Sequence, residues 1–128
     1  MKKFLFIVLA QLSALVAASQ FSIANTRWMV HTEIPFSRDL VLDFRKDTIR
    51  VFTADGVETS SALFSQHHDS LYIRKLSGRS PCPDGSHGWY GIEWRENGEK
   101  FLLHVIEDSC RSRVYGGIDV IRKIKVSN

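Results

Sequence analysis

From residue 27 onward, hydrophobic and polar residues alternate with a period of two, in short segments that end at turn residues. In the first segment, Trp28, Val30 and Thr32 fall on one face, whereas Met29 and His31 fall on the other. A period of two is typical of β-strands, and no segment shows a sustained 3.6-residue helical period. The predicted strands cover residues 27–34, 39–45, 48–53, 57–64, 71–76, 89–95, 100–106 and 118–126.

The connections between these strands are mostly short. Asp55-Gly56 and Asn97-Gly98 each separate two predicted strands, and such pairs favour type I′ hairpin turns with positive φ at both central residues. Regularly spaced strands indicate an antiparallel barrel or sandwich, and sequential hairpins favour the barrel. We therefore predict an all-β fold, a small antiparallel up-and-down β-barrel of seven to eight strands without open edges.

Residues 77–88 interrupt this pattern with a long connection that contains two prolines and three glycines. A loop of this length is uncommon in a compact domain and is often functional. Its polar residues Arg79, Asp84, Ser86 and His87 are candidates for contacting a partner protein.

Residues 1–18 have a different character. Lys2 and Lys3 precede an apolar run that ends in the small residues Val16-Ala17-Ala18, which is typical of a secretory signal peptide. The run is short for a bilayer span, so we expect an exported protein, periplasmic or extracellular, with no stable membrane insertion after signal removal. A cut after Ala24 and an uncleaved anchor are the alternatives. The remainder, residues 19–128, is predicted to form one domain.

The chain contains two cysteines, Cys82 and Cys110. In an exported protein two cysteines most simply form a disulfide, and they lack the paired spacing of zinc ligands. Two free thiols and a metal site are the alternatives. The bridge would close a loop of about 29 residues and stabilise the fold by about 3–4 kcal/mol.

Charge gives little support for nucleic-acid binding. The 17 basic and 14 acidic residues give a net charge of +3. Without Lys2 and Lys3 the balance is 15 against 14, or +1. Residues 122–125 are basic, but apolar residues interrupt them at strand spacing, which indicates a solvated strand face. No nucleic-acid partner is predicted.

No catalytic or metal motif is present. His67, His68 and Asp69 are possible metal ligands, but adjacent histidines usually point apart, so a solvated turn is preferred. Residues 84–88 contain Asp, Ser and His without a nucleophile elbow. A pairing of Glu93 with Glu107 or Asp108, as in glycosidases, is expected by chance among fourteen acids. We predict a non-enzyme without cofactor or metal.

Three stretches carry a resemblance to a known group. Residues 80–85, 88–94 and 106–113 place a cysteine before an aromatic hairpin and a second cysteine after it, in an Asp-x-Cys-x-x-Arg context. This pattern resembles small exported bacterial lipocalin-like (calycin-type) proteins. It departs from lipocalins proper at the first strand, where Thr26 occupies the glycine position two residues before Trp28.

The resemblance implies a barrel with a ligand cavity that opens at one end. Arg113 matches a late arginine that closes such barrels against the first-strand tryptophan, here Trp28, which is a structural role. Inward aromatic residues are candidates for lining the cavity, although aromatic residues also dominate the cores of small domains. These ligand-binding candidates are Trp28, Tyr90, Trp94 and Phe101.

Two functions are therefore expected. The first is an exported lipocalin-like protein that binds a small apolar or amphipathic ligand. The alternative is a protein-binding module, such as an inhibitor of a secreted hydrolase, that uses the loop at residues 77–88, in the manner of bacterial lysozyme inhibitors. An enzyme acting on the inner barrel face is a third hypothesis, which the missing motifs disfavour.

Overall fold

The computed structural model describes residues 21–33, 36–79, 82–110 and 120–124. Within these residues it contains eight strands and one 3₁₀ turn at Glu96–Gly98. The strands are β1 (Thr26–Thr32), β2 (Arg38–Phe44), β3 (Thr48–Thr53), β4 (Glu58–His67), β5 (Ser70–Gly78), β6 (His87–Arg95), β7 (Lys100–Asp108) and β8 (Ile121–Lys123).

Each strand pairs antiparallel with the next, and β8 pairs with β1 to close the sheet. The pairs Trp28–Lys123 and Met29–Arg122 form this closing ladder. The predicted all-β, up-and-down barrel is confirmed, and closure removes the unpaired strand edges that favour aggregation. The predicted signal at residues 1–18 and much of the last predicted strand lie outside the described residues.

The two predicted hairpins form with different turns. Asn97 and Gly98 both have positive φ, and Glu99 N donates to Glu96 O, as a type I′ turn requires. The Asp55-Gly56 hairpin is present, but its predicted turn type is wrong, because Gly56 alone of the two has positive φ. Gly56 N donates to Thr53 O and Thr53 N to Val57 O, which gives a three-residue loop with glycine in the left-handed position.

Strand register defines which side chains face the barrel interior. Residues directly opposite each other in a sheet share a face, so the buried Trp28 identifies its partner Leu42 as inward and alternation extends the assignment. The inward apolar residues obtained in this way that form the core or pack against it are Trp28, Val30, Leu40, Leu42, Phe44, Ile49, Val51, Phe64, Leu71, Ile73, Tyr90, Ile92, Trp94, Phe101, Leu103 and Ile121.

The barrel has two dissimilar ends. At the first, here called the closed end, lie the β2–β3, β4–β5 and β6–β7 turns and the segment 21–25 that precedes β1. At the second, the loop end, lie the β1–β2 and β3–β4 connections, the long β5–β6 loop and the end of β7. The predicted disulfide between Cys82 and Cys110 is confirmed, and it joins the β5–β6 loop to the residues that follow β7.

Candidate functional site at the loop end

Three of the four predicted ligand-binding residues pack against one another near the closed end. The Trp28 and Phe101 rings meet edge to face with centroids 4.7 Å apart, and the Trp94 ring lies 5.4 Å from Phe101 and 6.2 Å from Trp28. Trp28 and Phe101 are almost completely buried. These contacts give the three rings a packing role.

The segment before β1 covers this aromatic cluster. Ile23 is fully buried, and its N–H donates to Gln66 Oε1 at 2.8 Å, while Gln66 Nε2 donates to Phe21 O at 2.8 Å. The Phe21 ring lies 5.3 Å from the Trp94 ring. The closed end is therefore sealed by apolar packing with paired polar groups.

Thr26 occupies the position that is glycine in the lipocalin first-strand pattern, and its side chain helps to hold the covering segment in place. Trp28 Nε1 donates to Thr26 Oγ1 at 2.6 Å, and Thr26 Oγ1 donates in turn to Ile23 O. The threonine hydroxyl thus pairs the buried indole N–H and fixes the covering segment, a role that glycine has no side chain to perform.

The fourth predicted residue, Tyr90, lies apart from this cluster and points toward the loop end. Its ring is buried, and its hydroxyl has no hydrogen-bond partner among the described residues. A Cβ built on Gly88 would lie 2.7 Å from Tyr90 Oη and 2.6 Å from Asp108 Oδ2. Because Gly88 has no side chain, the Tyr90 hydroxyl and the Asp108 carboxylate can both extend into the space beside it.

Two further inward polar groups lie unpaired at the loop end. Thr32 and Arg38 face each other across β1 and β2, on the same side of the sheet as Val30 and Leu40. Thr32 Oγ1 and Arg38 Nε are buried and have no hydrogen-bond partner within the part of the chain that the structure describes. Buried polar atoms are normally paired with protein groups or with bound water, so these atoms are free to hydrogen-bond to water or to a bound molecule.

The apolar inner wall is also incompletely covered toward this end. Leu40, Val51, Ile73 and Leu103 face the interior yet are only partly buried, unlike Trp28 and Phe101 at the closed end. Val105, opposite Tyr90 in the register, keeps 43% of its surface exposed. Part of the apolar surface of the inner wall is therefore left exposed in the half of the barrel toward the loop end.

Lys75 is a charged residue inside the barrel. It shares the inner face with Ile73, and only 5% of its surface is exposed. Its ammonium donates to Gly78 O at 3.0 Å and to Cys82 O, and lies 3.5 Å from Asp84 Oδ1. Burial of this cation is tolerated because the backbone of the long loop supplies acceptors.

The backbone of Lys75 holds the same loop. Its N–H donates to Ser86 O at 2.9 Å, and its carbonyl accepts from Gly85 N at 2.8 Å. Together with the disulfide at Cys82, these bonds fix the described part of the loop, residues 79 and 82–86, on the barrel. The loop is preorganised at several separate points.

Two open clefts lie at the closed end. The larger, about 650 Å³, borders the start of β1 and the end of β2, and the smaller, about 460 Å³, borders the covering segment and the end of β4. Neither is lined by any of the four predicted ligand-binding residues. The larger cleft is lined by Asn25, Thr26, Arg27, Asp43, Phe44, Arg45, Glu99, Lys123 and Ile124.

A titratable group sits on the outer face close to the loop end. His31 Nδ1 lies 2.8 Å from Asp39 Oδ1, and Nε2 lies 2.6 Å from Glu33 Oε1 and 3.2 Å from Ser37 Oγ. The hydrogen bonds with Asp39 and Glu33 raise the pKa of His31 above its ordinary value of 6.5. All of these side chains are solvent-exposed.

The other perturbed groups belong to exposed ion pairs. Hydrogen bonds with basic partners lower the pKa values of three glutamates. Exposed pairs of this kind contribute little to stability. They are Arg50–Glu58 at 2.7 Å, Glu93–Arg95 at 2.6 Å and Glu96–Lys100 at 2.7 Å.

The remaining candidates from the sequence are distributed over the surface. The His67 and His68 rings stack with centroids 5.8 Å apart, whereas Asp69 Oδ1 accepts from Trp94 Nε1. Among the described residues, no group of three or more His, Cys, Asp and Glu side chains is placed to hold a metal. The predicted role of Arg113 lies outside the described residues, and Lys123 Nζ is a cation 5.9 Å from the Trp28 ring.

Sequence reasoning missed Thr32, Arg38 and Lys75 as members of the site. Each occupies an inward position in an otherwise apolar row, so the signal was a polar residue in phase with the core. Lys75, for example, continues the row of Leu71 and Ile73.

Comparisons with known protein families, with curated proteins and with solved structures each found no match. The resemblance to lipocalin-like proteins therefore stays a prediction. Within the described part of the chain, no helix has the length and apolar character needed to cross a membrane.

Proposed function

We propose that this chain is an exported barrel protein that binds one small amphipathic molecule in the loop-end half of its interior. The observation that carries the proposal is the set of three buried, unpaired and inward polar atoms, Thr32 Oγ1, Arg38 Nε and Tyr90 Oη. A ligand with a polar group at this level would supply the hydrogen bonds that these atoms lack.

The surrounding wall suits the apolar part of such a molecule. Leu40, Val51, Ile73 and Leu103 present aliphatic surface that is only partly buried. Covering it would release the free energy associated with apolar burial, about 25 cal/mol per Å². An eight-strand barrel is just wide enough to be filled by its own side chains or to hold one small ligand, so the size class proposed is the largest that such an interior accommodates.

Export is part of the same proposal. The disulfide is of a kind that persists in oxidising compartments, and the pattern of residues 1–18 predicts a secretory signal. Mass spectrometry of the protein recovered from expressing cells tests this, because a start after Ala18 or Ala24 is expected.

A fluorescent amphiphile tests the binding site. Anilinonaphthalene sulfonate is titrated into the purified protein, and saturable binding of one molecule is expected. Leu40→Trp and Leu103→Trp each fill the interior and should weaken binding by about tenfold or more. Met29→Trp, on the exposed outer face of β1, is the matched control and should leave binding unchanged.

Two results would count against this site. One is unaltered binding by both interior tryptophan variants while they remain folded by circular dichroism. The other is equal weakening by Met29→Trp, which would assign the dye to the outer surface.

The β5–β6 loop supports a second candidate function, capture of a secreted hydrolase. Lys75 and the disulfide tie the described part of this loop to the barrel at several points, so less ordering entropy is lost when it binds. Asp84 is exposed at 68% of its side-chain surface and lies on this fixed frame.

Inhibition of a c-type lysozyme is a direct test of the second candidate. Lysis of bacterial cell walls is measured with increasing protein, and a combined Arg79→Ala and Asp84→Ala variant should lose any inhibition. Arg95→Ala, at the closed end, is the control. Absence of inhibition by the unaltered protein, or inhibition that survives the loop substitutions, contradicts this use of the loop.

A further inference from the structure

Exposed hydrophobic side chains are concentrated at the loop end. Of eight large hydrophobic residues exposed among the described residues, six lie within three residues of a strand end on this side of the barrel. The other two are Met29, in the middle of β1, and Phe21, which packs on Trp94. The six are Phe36, Val57, Leu76, Trp89, Val105 and Ile106.

Four of these residues occupy separate positions around the loop end. Phe36 lies in the β1–β2 connection, Val57 in the β3–β4 turn, Leu76 near the end of β5 and Ile106 near the end of β7. They are exposed by 58%, 57%, 43% and 65%, respectively. We call these four residues the rim.

From this arrangement we propose that the rim docks on a lipid surface, and that the amphipathic ligand enters the barrel from it. This inference rests on the proposed function, because it names the source from which the interior is filled. Isolated exposed hydrophobic residues are ordinary on protein surfaces. What supports docking is that these residues are placed around one end of the barrel.

The separation of the rim residues favours a fluid surface over a protein partner. Side chains on two strand connections and near the ends of two further strands, spread around a barrel, can enter the headgroup region of a bilayer together without matching pockets. A protein interface instead requires a contiguous, complementary patch of about 800 Å² on each partner. The same spacing disfavours a second copy of this chain.

The rim is also continuous with the proposed binding site. The Arg38 guanidinium carbon lies 5.0 Å from the centre of the Phe36 ring, and Arg38 Nε is one of the unpaired inward atoms. Val105 is opposite Tyr90, one residue before Ile106. An amphiphile that leaves a bilayer at the rim would therefore meet the polar atoms and the aliphatic wall directly.

Vesicle flotation tests the docking step. The protein is recovered from cells expressing the full sequence, after any processing, and mixed with phosphatidylcholine vesicles. The unaltered protein should float with the vesicles, and Phe36→Ser or Ile106→Ser should each weaken partitioning severalfold. Combining Phe36→Ser, Val57→Ser, Leu76→Ser and Ile106→Ser should reduce it by about tenfold or more.

Met29→Ser is the matched control, because Met29 is similarly exposed but lies on the barrel wall. Equal loss of flotation for Met29→Ser and Phe36→Ser would overturn the proposal, and so would an unaltered protein that stays in the aqueous phase. A dimer in sedimentation that the rim substitutions abolish, without flotation, would assign the rim to a second copy instead.

Binding of anilinonaphthalene sulfonate without vesicles separates this inference from the proposed function. The rim variants should retain dye affinity within about twofold, because their substitutions leave the interior unchanged. Dye binding with no flotation would reject the docking step alone. Flotation with no dye binding would reject the interior site and, with it, the idea that docking fills the barrel.

Discussion

The closed end and the loop end of this barrel are built from the same strands but satisfy different demands. At the closed end, Trp28, Trp94 and Phe101 contact one another, and Gln66 pairs the backbone polar groups of the covering segment. At the loop end, Thr32 and Tyr90 leave buried hydroxyls unpaired, while aliphatic residues of the inner wall remain partly exposed. The first arrangement stabilises the fold, and the second is suited to receive another molecule.

The contrast separates two roles that aromatic residues can have in a small barrel. The sequence places Trp28 and Tyr90 in the same class, since both are inward aromatic residues. Their neighbours assign them different tasks, because the indole N–H of Trp28 has an acceptor in Thr26, whereas the hydroxyl of Tyr90 has none.

The largest expected effect comes from removing a ring at the closed end. Phe101→Ala should lower the free energy of unfolding by about 3–5 kcal/mol, because the cavity left in a packed core cannot fully collapse. Tyr90→Phe should change it by no more than about 0.5 kcal/mol, since the hydroxyl that it removes has no partner. Urea denaturation measures both variants, and comparable losses would erase the distinction between the two ends.

Loss of the disulfide is the next largest effect. The Cys82→Ser and Cys110→Ser double variant should be destabilised by about 3–4 kcal/mol, because the unfolded chain regains the freedom of a loop with a sequence separation of 28. Amide hydrogen exchange should increase most in the β5–β6 loop and least around Phe101. Wild-type protein with its disulfide reduced is the control and should behave like the double variant; uniform loss of protection would contradict a local role.

Gly78 and Gly56 form a matched pair at the loop end. A Cβ on Gly78 would lie 2.4 Å from Ser60 Cα, whereas one on Gly56 would meet no atom within 4 Å. Both have positive φ, so Gly56→Ala should cost about 1 kcal/mol from the backbone alone. Gly78→Ala adds overpacking and should cost about 2–4 kcal/mol. Equal thermal shifts for the two variants would show that the close approach of β4 and β5 relaxes freely.

The smallest effect is a pH dependence at His31. Hydrogen bonds with Asp39 and Glu33 raise its pKa in the folded protein above 6.5, its ordinary value. The stabilisation is therefore fully present below pH 6.5 and is lost as pH rises through the folded pKa. An NMR titration of the imidazole should give a midpoint above that value.

The variant His31→Gln supplies the control for this titration. Its unfolding free energy should depend less on pH between the unfolded and folded pKa values of the histidine. A wild-type midpoint at or below the ordinary value would mean that the two carboxylates do not hold the ring in solution.

The barrel could be predicted from the sequence because the features that determine it, strand alternation and turn residues, are local. Alternation placed Trp28 and Phe101 on inward faces, and Asn97-Gly98 specified its turn through the conformational preference of its own residues. Asp55-Gly56 predicted a hairpin but the wrong turn, since one left-handed glycine also satisfies a three-residue loop.

The candidate site was harder to predict from the sequence because its features depend on contacts between residues that are distant along the chain. Ile23 precedes the first strand and belongs to no alternating pattern, yet it is fully buried through contacts with the closed end. The acceptors of Lys75 are backbone carbonyls, which no sequence pattern marks. The unpaired state of Arg38 Nε likewise depends on which groups surround it in space.

Lys75 has one more consequence for the β5–β6 loop. The bonds that shape this loop run from Lys75 to its backbone atoms, so they do not depend on which outward side chains the loop carries. Exposed positions such as Arg79 can then be exchanged while the frame is kept, whereas Asp84 lies 3.5 Å from the Lys75 ammonium and belongs to the frame. The barrel is for this reason a suitable scaffold for grafting short recognition peptides, because the internal Lys75 holds the loop backbone in place.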